Sequence, residues 1–302
     1  MGSESRSADA VRIDPPLVRR LVAAQFPQWA GLPVEPAGTA VAGTDNVIYR
    51  LGSDLAVRLP RRPFGAEHLE RERRWLPVVG PRLPLAVPMP AGMGVPGEGY
   101  PWPWMVCSWL PGEVAALAPV ADPCRAAITL ARFVAALRAV DPAGGPPSRF
   151  GASLDTRDEV ARDAAAAVAD QFDTAPALAA WQEALTAPPW PGPPVWLHGD
   201  LHPANLLVSH GELSAVIDFG LLGLGDPACD LMVAWTYLPS AARGVFRRAL
   251  AADDATWSRA RGWALNLGLR AAAWAGSNSV LAAIGRDTVA AVVADATAGP
   301  LR

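Results

Sequence analysis

Apolar and polar positions change their rhythm twice along this chain. Asp14 followed by Pro15 has the form of an N-cap with proline in the first turn, which predicts a helix running to about Gln25. From about Val34 to Leu59 the pattern turns to short β-branched runs broken by glycine: Thr39–Ala42, Val47–Leu51 and Leu55–Leu59. They read as three antiparallel strands with turns at Gly43-Thr44-Asp45 and Gly52-Ser53-Asp54. A helix over Ala66–Val78, a proline-punctuated stretch and a strand around Trp104–Trp109 follow. Beyond Pro111-Gly112 the segments become alanine-rich and helical, over Pro123–Val140, Arg157–Gln171 and Ala175–Leu185. Strand character returns between Val195 and Phe219 for one hairpin, and helices resume from about Pro227. A sheet-rich first third and a helix-rich remainder, joined near Trp109–Gly112, predict an α+β protein of two lobes, residues 1–108 and 109–302.

Composition narrows the possibilities. Hydrophobic residues are 51% and charged residues 18% of 302, enough apolar material for real cores and too much for a disordered chain. The net charge of −3 gives no electrostatic reason to bind a polyanion, so no nucleic-acid partner is expected. All 26 basic residues are arginine. A mechanism that needs a lysine must therefore run on arginine, which serves neither as a Schiff-base amine nor as a neutral base. Cys107, Cys124 and Cys229 are odd in number and far apart, the pattern of a reducing compartment rather than a disulfide framework. The first dozen residues lack an apolar core and no long charge-free apolar stretch occurs, so a soluble cytoplasmic protein without membrane association is expected.

The densest chemistry lies between Val195 and Gly220. Leu206–Ser209 and Leu213–Ile217 are apolar strands joined by His210-Gly211, a two-residue hairpin turn. That turn sets Ser209 opposite Glu212 and, by extension, Asn205 opposite Val216. Asp218 then falls on the same face, diagonal to Asn205 at roughly 7–8 Å. An amide oxygen and a carboxylate converge at the open end of the hairpin, beside the loop that carries Asp200. Hard oxygen donors of this kind suit a magnesium ion held chiefly through nucleotide phosphates. A second signal is Glu72, which lies between Leu69 and Leu76 inside an apolar helical stripe. A core-facing carboxylate needs a partner, and the neighbouring strand Leu55–Leu59 offers Arg58.

His198-x-Asp200-x-x-x-x-Asn205 followed by Asp218-Phe219-Gly220 resembles the aminoglycoside phosphotransferase family, relatives of the protein kinases. The phrase His198-Gly199-Asp200-Leu201-His202-Pro203-x-Asn205 is similar to that family's catalytic loop, and Gly225-Asp226-Pro227-x-x-Asp230-Leu231 to its usual sequel. Val47–Arg50, Arg58–Arg61 and Arg71-Glu72 fit its amino-terminal lobe, so the resemblance covers nearly the whole chain. It implies a protein-kinase-like fold, a small sheet-rich lobe followed by a larger helical one. It implies transfer of a phosphoryl group from ATP, with GTP as an option, to a hydroxyl of a small molecule such as an aminoglycoside or macrolide.

Carried over residue by residue, Asp200 receives or orients the hydroxyl proton, while Asn205 and Asp218 hold magnesium. Arg58 stands where the family has a phosphate-contacting lysine, and Glu72 orients it. Gly43, Thr44, Asp45 and Asn46 form the phosphate loop, which lacks a G-x-G-x-x-G; backbone N–H groups of the turn are its means of holding phosphate. Ser108, Trp109 and Leu110 form the adenine hinge, and Asp230 braces the catalytic loop through its backbone. His198 and His202 are expected to be structural.

Other readings stay open. The acceptor can be an ordinary metabolite. His198-x-Asp200-x-His202 can be a metal-dependent hydrolase's ligand set. A kinase fold can also bind nucleotide without turnover. Asp226, Asp253 and Asp254 are candidates to receive a polycationic aminoglycoside, and Trp235, Trp257, Trp263 and Trp274 to form an apolar wall for a macrolide.

Overall fold

The computed structural model describes residues 12–38, 45–274 and 279–297. It divides into two compact units, Met1–Arg73 with Met89–Trp109, and Arg74–Pro88 with Leu110–Arg302.

The first unit is built on a five-stranded antiparallel sheet. Its strands are β1 (Val34–Pro36), β2 (Asn46–Leu51), β3 (Leu55–Pro60), β4 (Pro90–Gly94) and β5 (Trp104–Ser108), in the spatial order β1-β2-β3-β5-β4. Helix α1 (Pro15–Gln25) starts where the sequence places it, with the Asp14 carboxylate accepting from the Leu17 N–H at 3.0 Å. Alternation along the strands decides which residues meet which helix. Val57 and Leu59 of β3, with Trp104 and Val106 of β5, pack into a core with Leu17, Val18, Leu21 and Val22 of α1. Ala56, Met105 and Cys107 point the other way and pack on Leu69 of helix α2 (Pro63–Val79). Arg58 belongs to this second set by parity, and Glu72 lies one turn beyond Leu69, so the two are brought onto the same interface.

The strand placed over Thr39–Ala42 lies outside the described residues. Strands β1 and β4 are additional to the sequence reading; both are edge strands, where the missing N–H of Pro36 and Pro90 is tolerated.

The second unit is mostly helical. Its elements are β6 (Glu113–Val114), α3 (Pro123–Arg138), α4 (Asp158–Ala167), α5 (Ala175–Thr186), β7 (Val195–Leu197), β8 (Leu206–Ser209), β9 (Glu212–Val216), β10 (Gly223–Gly225), α6 (Val233–Thr236), α7 (Ser240–Ala249), α8 (Asp254–Ala273) and α9 (Ser279–Thr297). Strands β6, β8 and β9 form one small sheet, and β7 pairs with β10 in another. Behind them Phe133 of α3 packs on Phe219, which in turn lies against the His198 ring at 4.6 Å. Among the described residues no helix is long and apolar enough to cross a membrane.

The hairpin differs from expectation in register. Ser209 does face Glu212, but the pairing shifts so that Leu207 faces Ala215 and Leu206 faces Val216. The extra residue is Ser214, whose hydroxyl bonds back to the Leu207 carbonyl at 3.3 Å. Asn205 consequently lies opposite Ile217 rather than Val216, its carbonyl accepting from the Ile217 N–H at 2.9 Å. Asp218 is therefore the residue immediately after Asn205's partner, not a diagonal neighbour two places on.

Candidate functional site

In the helical unit the segment from His198 to Asn205 forms a loop fixed from below. The buried Asp230 carboxylate accepts from the backbone N–H groups of His198 and Gly199 at 2.8 and 2.9 Å. Burial pushes its carboxyl above the ordinary range, against the pull of His198, the two amides and Arg138. Gly199 has φ +84°, and a Cβ there would lie 2.9 Å from the Leu221 carbonyl oxygen, so the turn requires glycine.

Both histidines serve the loop, as the sequence suggested. His198 Nδ1 accepts from the Asp200 N–H at 3.2 Å, so its proton sits on Nε2 and is donated to the Ile217 carbonyl at 3.0 Å. His202 Nδ1 accepts from the Ala204 N–H at 3.3 Å, and its Nε2 lies 3.4 Å from Asp200 Oδ2. Nδ1 of each ring is engaged by a backbone N–H of the loop, and among the described residues no group of three or more His, Cys, Asp or Glu is placed to hold a metal ion, which gives the hydrolase reading no geometric support. His202 has a further part that sequence reasoning missed. Burial alone would lower its pKa, but the Asp200 and Asp218 carboxylates outweigh that and hold it above the ordinary value. The reciprocal effect fixes Asp200. Burial alone would raise its pKa; the attraction and hydrogen bond of His202, the pull of His198 and the bond from Asn205 hold it below the ordinary value.

Asn205 is oriented by the same residue. Its amide nitrogen donates to the Asp200 carbonyl at 2.9 Å and to Asp200 Oδ2 at 3.2 Å. The end of the amide left for a ligand is therefore Oδ1. Asp218 follows Ile217 with φ +64°, a left-handed backbone that costs a non-glycine residue of order 1–2 kcal/mol. Strain of this kind persists where the surroundings over-determine it, and it collects at functional sites. A carboxamide oxygen and carboxylates are hard donors that fit magnesium carried by phosphates.

In the sheet unit Arg58 Nη1 bonds Glu72 Oε2, with the two side chains 7% and 0% exposed. A carboxylate so placed is a built ion pair rather than a solvated glutamate on a helix face. Asn46 begins β2 and is buried, while Asp45 precedes it with its carboxylate 3.9 Å from His68 Nδ1. Gly43 and Thr44 lie outside the described residues. Ser108 ends β5, where its hydroxyl accepts from the Met89 N–H at 2.9 Å, and the Trp109 N–H donates to the Asp54 carbonyl at 2.8 Å. Leu110 begins the longer of the helical unit's two segments. The structure thus brings Asp200, Asn205 and Asp218 together within one unit, and Arg58 and Glu72 within the other.

The residues considered for acceptor recognition have other partners. Asp226 pairs with Arg259 at 2.7 Å, Asp253 caps α8 by accepting from the Thr256 N–H at 2.6 Å, and Asp254 pairs with Arg247. Trp235, Trp257 and Trp263 are core residues, and only Trp274 of the four is exposed.

Comparison with known proteins gives the family and the fold. The model of the phosphotransferase enzyme family matches residues 38–263. A GDP complex of wild-type aminoglycoside 2'-phosphotransferase-IIIa is 20% identical, with 94% of this chain and all (100%) of that chain covered and a TM-score of 0.70. The apoenzyme of macrolide 2'-phosphotransferase MphH from Brachybacterium faecium is 28% identical, with 96% and 99% covered and a TM-score of 0.59. The search of curated proteins gave no match.

Proposed function

Because this chain belongs to the phosphotransferase enzyme family and has its kinase-like fold, we propose that it transfers the γ-phosphoryl group of ATP, or of GTP, to a hydroxyl of a small molecule. One geometry carries the reading. Asp200 turns the Asn205 amide so that its oxygen end is the one left over, and Asn205 pairs with the residue that directly precedes the left-handed Asp218.

Asp200, kept ionised beside His202, accepts or orients the proton of the attacking hydroxyl. Asn205 Oδ1 and the Asp218 carboxylate are the ligands for magnesium. When bound there, that ion neutralises phosphate charge. Arg58, held by Glu72, contacts the phosphates; its planar fork replaces the point charge of a lysine. The turn of Gly43, Thr44, Asp45 and Asn46 offers backbone N–H groups to phosphate, and Ser108, Trp109 and Leu110 receive the base. Catalysis of this class is positioning plus electrostatic stabilisation, which suits a site whose Asp200 carboxylate and Arg58 guanidinium are held by hydrogen bonds. A supply of ATP and magnesium places the reaction in the cytoplasm.

The relatives' names point to an antibiotic acceptor, an aminoglycoside or a macrolide. A second reading, kinase of an ordinary metabolite, is favoured by the engagement of Asp226, Asp253 and Asp254 and the burial of three of the four tryptophans. The test is to offer protein, ATP and magnesium to aminoglycosides, macrolides and simple hydroxy compounds, and to detect phosphorylated product by mass. ATP consumption that is equal in the wild type and Asp218→Ala would defeat the proposal.

A further inference from the structure

A group of arginines sits in the helical unit around Phe150, on the segment that touches the loop carrying Asp200, where a Cβ on Gly199 would lie 3.3 Å from Ser148 Oγ, and the proposed chemistry uses none of them. The segment before α4 is zipped against β10: the Leu224 N–H donates to Pro146, the Ser148 N–H to Leu224, and the Asp226 N–H to Gly151 at 2.9 Å. Gly151 packs so closely on Gly225 that a Cβ on either would collide with the other's backbone. This fixes Phe150, whose ring lies 6.4 Å from that of Trp263 on α8. Two guanidinium groups stack on the same ring, Arg157 at 4.6 Å and Arg270 at 5.5 Å from its centroid. Arg157 also donates to the Arg149 carbonyl.

Like charges so close repel. Burial first, then Arg149 and Arg270, pull the Arg157 pKa down, and burial with Arg149 does the same to Arg270. The carboxylate that acts against this on Arg270 is Asp200. Neither Arg157 nor Arg270 forms an ion pair among the described residues, and the neighbouring acids are engaged: Asp226 with Arg259, Asp158 with Arg162 and Trp181, Asp230 with the loop amides. Arg149 and Arg270 are exposed and Arg157 is half-buried, so an incoming molecule can reach them.

We propose that Arg157 and Arg270 bind an anionic group of the acceptor, so that the molecule phosphorylated carries a carboxylate or phosphate as well as its hydroxyl. Phe150 supplies the rigid platform that holds both cations, and a bound anion relieves their mutual repulsion. The inference rests on the proposed phosphotransfer at Asp200 and narrows its acceptor. A polycationic aminoglycoside would meet like charge here, whereas a hydroxy acid would be drawn in with its hydroxyl near Asp200. Planar forks that grip carboxylate or phosphate in pairs of hydrogen bonds are what arginine provides.

The experiment compares matched acceptors in the full chain with ATP and magnesium: glycerate against glycerol, glycerol 3-phosphate against glycerol, and kanamycin. Acid members should be used with kcat/KM about tenfold to a hundredfold above the neutral ones, the range for a charge-assisted pair, and kanamycin should give no product. Arg157→Met and Arg270→Met keep the side-chain length; each should raise the KM for the acid while the KM for ATP stays put, and Arg270→Lys should restore part of the loss. The glycerate and glycerol 3-phosphate arms separate the two kinds of anion. If no probe is turned over, melting of the ADP-loaded protein in inorganic phosphate and in citrate, against chloride of equal ionic strength, decides: stabilisation lost in Arg157→Met/Arg270→Met supports the site. Stabilisation that is absent, or equal in the variant, overturns it. So does efficient phosphorylation of kanamycin or glycerol unaffected by Arg270→Met, or a rise in the KM for ATP alone, which would assign the arginines to the nucleotide. Failure of the phosphotransfer reading looks different, because ATP would then not be consumed with any acceptor.

Discussion

Asp230→Asn tests whether the catalytic loop is held from beneath. The carboxylate is fully buried and receives two amides, those of His198 and Gly199, on its two oxygens. Asparagine keeps the shape and can satisfy one N–H with its carbonyl oxygen. Its NH2 then faces the other N–H, donor against donor. One buried amide is left without an acceptor, at about 1–3 kcal/mol, and the surviving bond loses its charge assistance, so a total of about 2–4 kcal/mol is expected. For a unit of this size that is a fall in Tm of roughly 5–15 °C. The change reaches catalysis because Asp200 follows Gly199 directly; a displacement of about 1 Å at the reacting groups can cost up to about a hundredfold in kcat. Thermal melting and steady-state kinetics on one preparation measure both. A variant with wild-type Tm and wild-type kcat would show that the two amide bonds do not hold the loop, and the account of Asp230 would be wrong.

Asp218→Ala should abolish turnover while the protein stays folded, and Asp218→Gly, equally inactive, should melt higher than the alanine variant because it escapes the left-handed penalty of about 1–2 kcal/mol; equal melting temperatures would deny the strain. Glu72→Ala leaves the Arg58 cation without its buried partner and should destabilise the sheet unit by about 3–5 kcal/mol, with a raised KM for ATP; unchanged values of both would make the pair incidental. Asp200→Asn should lower kcat by roughly 10²–10⁴-fold, the span for losing a general base, while ATP affinity, measured by titration calorimetry, is kept. Among the cysteines, exposed Cys124 should react with a thiol reagent in the native protein; Cys107, buried and with its thiol pushed up to about 12 by that burial, should react only on unfolding.

Some of this was visible in the residues alone because local rules decide it. Asp14-Pro15 caps a helix whatever lies around it, and the helix runs Pro15–Gln25 as expected. Arg58 and Glu72 could be matched because strand parity and helical stripe each name one face, and only one pairing satisfies both. The hairpin's strands and turn were legible from His210-Gly211, but its register was not. A bulge at Ser214 depends on how that residue's hydroxyl meets the Leu207 carbonyl, which no spacing announces. Strand β4 escaped because Pro90, Gly92 and Gly94 suppress strand propensity; the position at the sheet edge, not the segment itself, makes it a strand.

The same division separates the reaction from its acceptor. Asp200, Asn205 and Asp218 lie on one loop and one hairpin, so their spacing translates almost directly into geometry. The acidic residues that suggested a cationic acceptor lie in three dimensions beside arginines or at a helix cap: Asp226 on Arg259, Asp254 on Arg247, Asp253 on α8. Counting charges in the sequence cannot show that these are already matched. The converse holds for Arg157 and Arg270. They are distant in the chain and follow no motif, and they meet only because Gly151 and Gly225 allow two backbones to touch and so hold Phe150 beneath both. In a chain without lysine, each cation near the proposed site has a planar fork and a preferred partner geometry. The charge beside Phe150 is therefore set by which arginines, Arg157 and Arg270, form no ion pair among the described residues, a property of the packing rather than of the composition.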